Sequence, residues 1–138
     1  MFLLDTNVLS ELRKVGDGKA DPKVFGWFSE QSATNFYVSA VVLMELELGT
    51  LLMERRDPAQ GRRLRTWVDD YVLREFAQRT LPVDTAVALR CARLHVPNPC
   101  SERDAFIAAT ALVHGMTIVT RNVSDFQSTG VEIINPWS

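Results

Sequence analysis

Apolar residues along the 138-residue chain fall into short runs, each closed by a polar residue, alternating with longer stretches of helical period. Phe2-Leu3-Leu4 is such a run, ending at Asp5, after which Thr6 and Asn7 can cap a helix through about Arg13. Residues 14–21, rich in Gly, Asp and Lys, read as a loop, and Pro22 opens a helix carrying Val24, Phe25, Trp27 and Phe28. Asn35 to Ser39 reads as a strand, followed by a strongly apolar helix from about Ala40 to Glu54. Asp57-Pro58-Ala59-Gln60 supplies an N-cap, a proline in the first helical position and a capping-box glutamine. The helix it opens is expected to reach about Gln78, with Leu64, Trp67, Val68, Tyr71, Val72 and Phe76 inward. Leu81-Pro82-Val83 is a short extended piece, and Asp84 caps a helix to about His95. Pro97 and Pro99 forbid its continuation. Ser101 then caps a helix through His114, stopped by Gly115. Thr117 to Thr120 is the clearest strand, and Glu132-Ile133-Ile134 the last.

Short apolar strands separated by long helices imply an α/β domain with a mostly parallel sheet covered on both faces, and the length fits one domain, residues 1–138. In such folds ligands gather beyond the carboxyl ends of the strands, so the residues that follow each strand carry the functional interest. Fifteen Lys and Arg against seventeen Asp and Glu leave a net charge of −2, which excludes a fold that grips nucleic acid through bulk charge. The two cysteines, Cys91 and Cys100, form no CxxC pair, against both a disulfide framework and a thiolate zinc site. Asp5 comes too early for a signal peptide, and no apolar run approaches the ~20 residues of a membrane helix. A soluble domain of a reducing compartment, the cytoplasm, is the expectation, with no membrane partner.

Four carboxylates stand in positions that need explaining. Asp5 directly follows the first strand, where a helix N-cap is the ordinary alternative. Asp125 lies five residues beyond the strongest strand, where an Asx turn would serve equally. Asp104 sits in the first turn of a helix, a place the helix dipole favours for any acid. Glu45 lies in Val41-Val42-Leu43-Met44-Glu45-Leu46-Glu47-Leu48, and it cannot share a face with Glu47, about 200° away around the helix. Its same-face neighbours Val41, Leu48 and Leu52 are apolar, so Glu45 is expected to be the inward acid. If the four converge, each pair ~5 Å apart repels by roughly 3 kcal/mol at an effective dielectric of ~20. Protonation or a cation must relieve that, and hard oxygen ligands favour Mg²⁺ or Mn²⁺ over zinc.

Leu4-Asp5-Thr6-Asn7-Val8-Leu9-Ser10-Glu11-Leu12, then Ser39 to Leu46 with Gly49, resembles the opening of a PIN-domain protein. Asp104-Ala105-Phe106-Ile107-Ala108-Ala109-Thr110-Ala111 and Thr120 to Phe126 resemble its second half, and Asn135-Pro136-Trp137 its VapC/FitB branch of toxins. The resemblance implies a PIN-like three-layer α/β/α sandwich and a metal-dependent ribonuclease that hydrolyses RNA phosphodiester bonds with Mg²⁺ or Mn²⁺. It places Asp5 and Asp104 as the main metal ligands, Glu45 and Asp125 completing the acidic pocket, and Thr6 and Asn122 supporting them. It further implies a homodimer and a VapB-like antitoxin that blocks the pocket, DNA being reached only through that antitoxin. Glu47 and Leu48 depart from the basic residues relatives often carry there, which leaves the metal site untouched.

Residues 54–79 hold seven arginines against five acids, among them Arg55, Arg56, Arg62, Arg63 and Arg65. A solvated helical face and a patch that tracks RNA phosphates are both consistent with this, with Arg62 and Arg63 as the candidate contacts. Arg121, close to Asp125, is a candidate for touching substrate or pairing with an acid. His95 and His114 lack metal-ligand spacing, and the three tryptophans read as packing residues. Two other readings compete with the nuclease. A non-catalytic interaction module could use the pocket to bind a partner's arginine. An aspartyl-phosphate phosphatase is disfavoured because Asn7 stands where a proton-transferring acid is wanted.

Overall fold

The computed structural model describes residues 1–138. Five parallel strands form the central sheet: β1 (Phe2–Leu4), β2 (Phe36–Ser39), β3 (Thr80–Leu81), β4 (Thr117–Val119) and β5 (Ile133–Ile134), in the order β3-β2-β1-β4-β5. Leu3, Leu4, Val38, Ile118 and Val119 are fully buried, as befits a parallel sheet flanked by helices. The chain builds outward from β1 to β2 and β3, then crosses back to lay β4 on the other side of β1. The switch point therefore lies between β1 and β4, and it is there that the crevice beyond the carboxyl ends opens.

The helices are α1 (Thr6–Arg13), α2 (Pro22–Ser29), α3 (Ala40–Arg56), α4 (Pro58–Trp67), α5 (Leu73–Glu75), α6 (Thr85–Leu94) and α7 (Glu102–His114). The anticipated strands and long helices all form, and the expected α/β/α sandwich is found. Ser39, Asp57 and Asp84 cap α3, α4 and α6 through their side chains. Five local expectations are corrected. Asp5, not Thr6 or Asn7, caps α1, and residues 14–17 continue it as a 3₁₀ turn closed by Gly18 at φ 69°. Ser101 stands at the cap position of α7 without a side-chain cap bond. The helix after Asp57 stops at Glu75, and a π-helical turn at Val68–Val72 interrupts it. That wider turn keeps Val68, Val72 and Phe76 in the core while Tyr71, expected inside, is 49% exposed.

The helical hairpin of α3 and α4 is close-packed at Gly61, where a methyl group would overlap the backbone of Glu54. Arg65 of α4 bridges back to Glu47 (2.7 Å) and Glu54 (3.0 Å) of α3, and more loosely to Asp69 (3.5 Å). This member of the arginine cluster is thus committed within the protein, whereas Arg62 and Arg63 are exposed. Trp27 packs, as expected, with Phe2, Phe28 and Phe36 in one aromatic cluster. No helix is long and apolar enough to cross a membrane.

Candidate active site

Asp5 is set by the end of β1. Its N–H donates to Val119 O (3.0 Å), extending the β1–β4 ladder by one residue, so that the side chain emerges at the switch point. Oδ1 accepts from the Thr6 N–H (2.8 Å), the cap of α1, which bears out the ordinary reading of this residue but occupies only one oxygen. Oδ2 accepts from Thr120 Oγ1 (2.7 Å) and Asn7 Nδ2 (3.2 Å). Asn7 Oδ1 in turn accepts from the Arg121 N–H (3.1 Å), and Thr120 Oγ1 from the Asn122 N–H (3.0 Å). The ends of β1 and β4 are thereby cross-braced around one carboxylate. Burial pushes the Asp5 carboxyl above its ordinary range, the bonds from Thr120, Thr6 and Asn7 pull it back, and Asp125 adds to the rise.

Glu45 comes to the same place from α3. Thr6 Oγ1 donates to its Oε1 (2.8 Å), and Arg103 Nη1 of α7 lies 3.7 Å from its Oε2. The expectation of a face shared with core residues needs correcting. The buried stripe of α3 is Val41, Val42, Leu46 and Thr50, while Leu48 and Leu52 are exposed, Leu52 at 59%. Glu45 sits on the margin between the two, its side chain 23% exposed.

Asp104 enters from the first turn of α7, and Asp125 from the 3₁₀ turn Val123–Asp125 that follows β4. The Asp104 carboxyl is pushed up to about 6, first by burial and then by the charges of Asp125, Asp5 and Glu45. The four acids singled out in the sequence therefore share one electrostatic field at the switch point. As the side chains stand, no three of the molecule's His, Cys, Asp or Glu residues are close enough to hold a metal ion between them. The donor set is nonetheless all oxygen and anionic, and Arg103 is the one side-chain cation in ion-pair range of any of the four. That chemistry fits a hard divalent cation and not zinc.

Of the supporting residues, Thr6 bonds Glu45 directly, while Asn122 contributes its backbone N–H. Arg121 forms no ion pair with an acid. Its guanidinium lies over Trp137, 5.3 Å from the ring centroid, with its N–H on Asn7. Sequence reasoning missed Asn7, Thr120 and Arg103. Position alone could have flagged the first two, since both follow strand ends; a charge in the first turn of a helix gives no such signal.

A profile of the PIN domain matches residues 2–131. The VapC ribonuclease Y4jK of Sinorhizobium fredii is 37% identical, the alignment covering 99% of this chain and 98% of that protein. Toxin FitB of Neisseria gonorrhoeae is 32% identical over 99% of each. A solved structure of FitAB bound to an IR36 DNA fragment superposes with a TM-score of 0.88 at 31% identity, covering 100% of this chain and 96% of the matched one. Matched over nearly its whole length, by profile, by sequence and by three-dimensional form, the chain belongs to the PIN-domain family, among the VapC/FitB-type toxins of type II toxin–antitoxin systems.

Proposed function

We infer that the protein is a Mg²⁺- or Mn²⁺-dependent endoribonuclease that hydrolyses RNA phosphodiester bonds and is neutralised by a VapB-like antitoxin. What supports this reading is that Asp5, Glu45, Asp104 and Asp125 all sit at the carboxyl end of the sheet, where Thr6 joins Glu45 and Thr120 joins Asp5, and that the charges of the other three add to burial in raising the Asp104 carboxyl. Asp5 and Asp104 are the main ligands in this reading, with Glu45 and Asp125 completing the set. A divalent cation bound there supplies the positive charge that acidifies a water and offsets the charge building on the phosphate during displacement. The chain's own part is to hold the acids. Thr120, Asn7 and the Thr6 N–H fix Asp5, and the Thr6 hydroxyl fixes Glu45. Arg62, Arg63 and Arg121 are exposed cations available to RNA phosphates, Arg121 from its perch on Trp137.

An apolar row along α3 (Met44, Leu48, Leu51 and Leu52) is exposed and supports the protein partners the family leads one to expect, a second copy or the antitoxin. DNA is reached through the antitoxin, as FitAB and not the toxin alone is what the solved relative holds on DNA. The RNA substrate places the activity in the cytoplasm. A second reading, a silent module whose pocket receives a partner's arginine, draws on the Arg103–Glu45 pair, a guanidinium already resting on one of the acids.

Purified protein incubated with RNA and Mg²⁺, beside an Asp5→Asn control, separates the two. The nuclease reading expects cleavage by the native protein and a loss of at least a hundredfold in the variant. Equal cleavage by both removes Asp5 from the mechanism, and no cleavage of any RNA alongside tight antitoxin binding favours the silent module.

A further inference from the structure

Beside the acids lies a cavity of about 200 Å³, open to solvent, that no step of the hydrolysis uses. Three helices build it. Thr6, Ser10 and Arg13 line it at one-turn intervals on α1, Glu45 and Gly49 do so on α3, and Trp67 closes it from α4. Thr6 and Glu45, joined by their hydrogen bond, form the wall it shares with the acidic site. Its volume is below the ~300–1,000 Å³ of usual small-molecule pockets, the right scale for one ring system.

We propose that this cavity seats a single unpaired base of the RNA next to the scissile phosphate, with Trp67 as the stacking wall and Arg13 as the phosphate contact. The inference rests on the nuclease reading for the identity of the ligand. Its chemistry comes from the residues. Trp67 supplies an aromatic ring, and the Arg13 guanidinium, which lies over that ring 6.0 Å from its centroid and pairs with no acid, must swing aside onto the phosphate for a base to stack there. An aromatic face beside a free guanidinium is how single-stranded nucleic acid is held, base on ring and phosphate on cation. A base pair cannot enter, so the strand must be unpaired there. Gly49 makes the room, because a side chain at this helical position would meet nothing within 4 Å and would grow into the space.

Gly49 also supplies the test, since replacing a mid-helix glycine in open space favours the helix. Binding of a fluorescein-labelled single-stranded hexaribonucleotide in Mg²⁺ is read by anisotropy, with Asp5→Asn protein as the non-cleaving host. Adding Gly49→Leu is expected to weaken binding at least tenfold without lowering the melting temperature. Adding Arg13→Gln is expected to weaken it severalfold and flatten the dependence of log Kd on log salt by about one unit. A Kd within twofold of the host's in both variants, or a host that does not bind the hexamer, overturns the proposal. So does loss of binding to an antitoxin peptide with RNA affinity unchanged, which would make the cavity a protein groove. The underlying reading fails separately. Native protein that binds through the cavity but cuts no RNA leaves the subsite standing and removes the nuclease, whereas cleavage with unchanged KM in Gly49→Leu does the reverse.

Discussion

Asp5 and Asp104 are both raised by burial, but their surroundings differ. Asp5 has donors from Thr120, Thr6 and Asn7 that hold its charged form against burial, while three other acids crowd Asp104. The consequence for stability has a definite sign. Between the ordinary aspartate range near 3.8 and about 6, the folded protein keeps a proton on Asp104 that the unfolded chain releases. Stability contributed by this residue is therefore full below the lower value and lost as pH rises through the upper one. In chelator, the stability of native protein relative to Asp104→Asn should fall between pH 4 and pH 7, as followed by urea unfolding. A difference independent of pH would mean that Asp104 does not feel its neighbours. Asp5, Asp125 and Glu45 were legible in the sequence because each follows a strand or interrupts an apolar run, whereas Asp104 and Arg103, in the first turn of a helix, break no local rule. The braces around Asp5 were not legible either. Thr120 to Asp5 and Asn7 to Thr120 join side chains over 110 positions apart, and such pairs leave no trace in local periodicity.

Elements were read from apolar spacing and caps, and these signals hold where the cap is a side chain with a proline or polar turn behind it. α4 illustrates both success and failure. Asp57 and Pro58 fixed its start, yet nothing in Val68-Asp69-Asp70-Tyr71-Val72 announces a π-helical turn, because that turn answers to packing and not to propensity. Its pairing with α3 was equally hidden. Gly61 reads as a weak helical residue, but in the fold its missing side chain lets the two helices touch. Elsewhere in a helix Gly→Ala stabilises; here Gly61→Ala should destabilise by about 1–3 kcal/mol, because backbone must move to admit the methyl group. Denaturant melts of the variant test this, and an unchanged or raised midpoint would show that the hairpin has slack. The same close approach lets Arg65 staple Glu47 and Glu54, so a residue that in sequence belongs to a candidate RNA patch serves the hairpin instead.

At the scale of the whole molecule, the order β3-β2-β1-β4-β5 decides which residues meet at the switch point. Laying β4 beside β1 carries Thr120 and Asp125 to Asp5, and the α3 and α7 helices deliver Glu45 and Asp104 to the same crevice. The arrangement stores like charge that a divalent ion can discharge, and the switch-point rule accounts for its location. The central claim is that these four acids form one cation site. Titration of the native protein and of Asp104→Asn with Mn²⁺, followed by isothermal calorimetry at pH 7, tests it most directly. The account predicts saturable binding near one ion per chain, and affinity at least tenfold weaker in the variant. Equal Mn²⁺ affinity in the two proteins would contradict it.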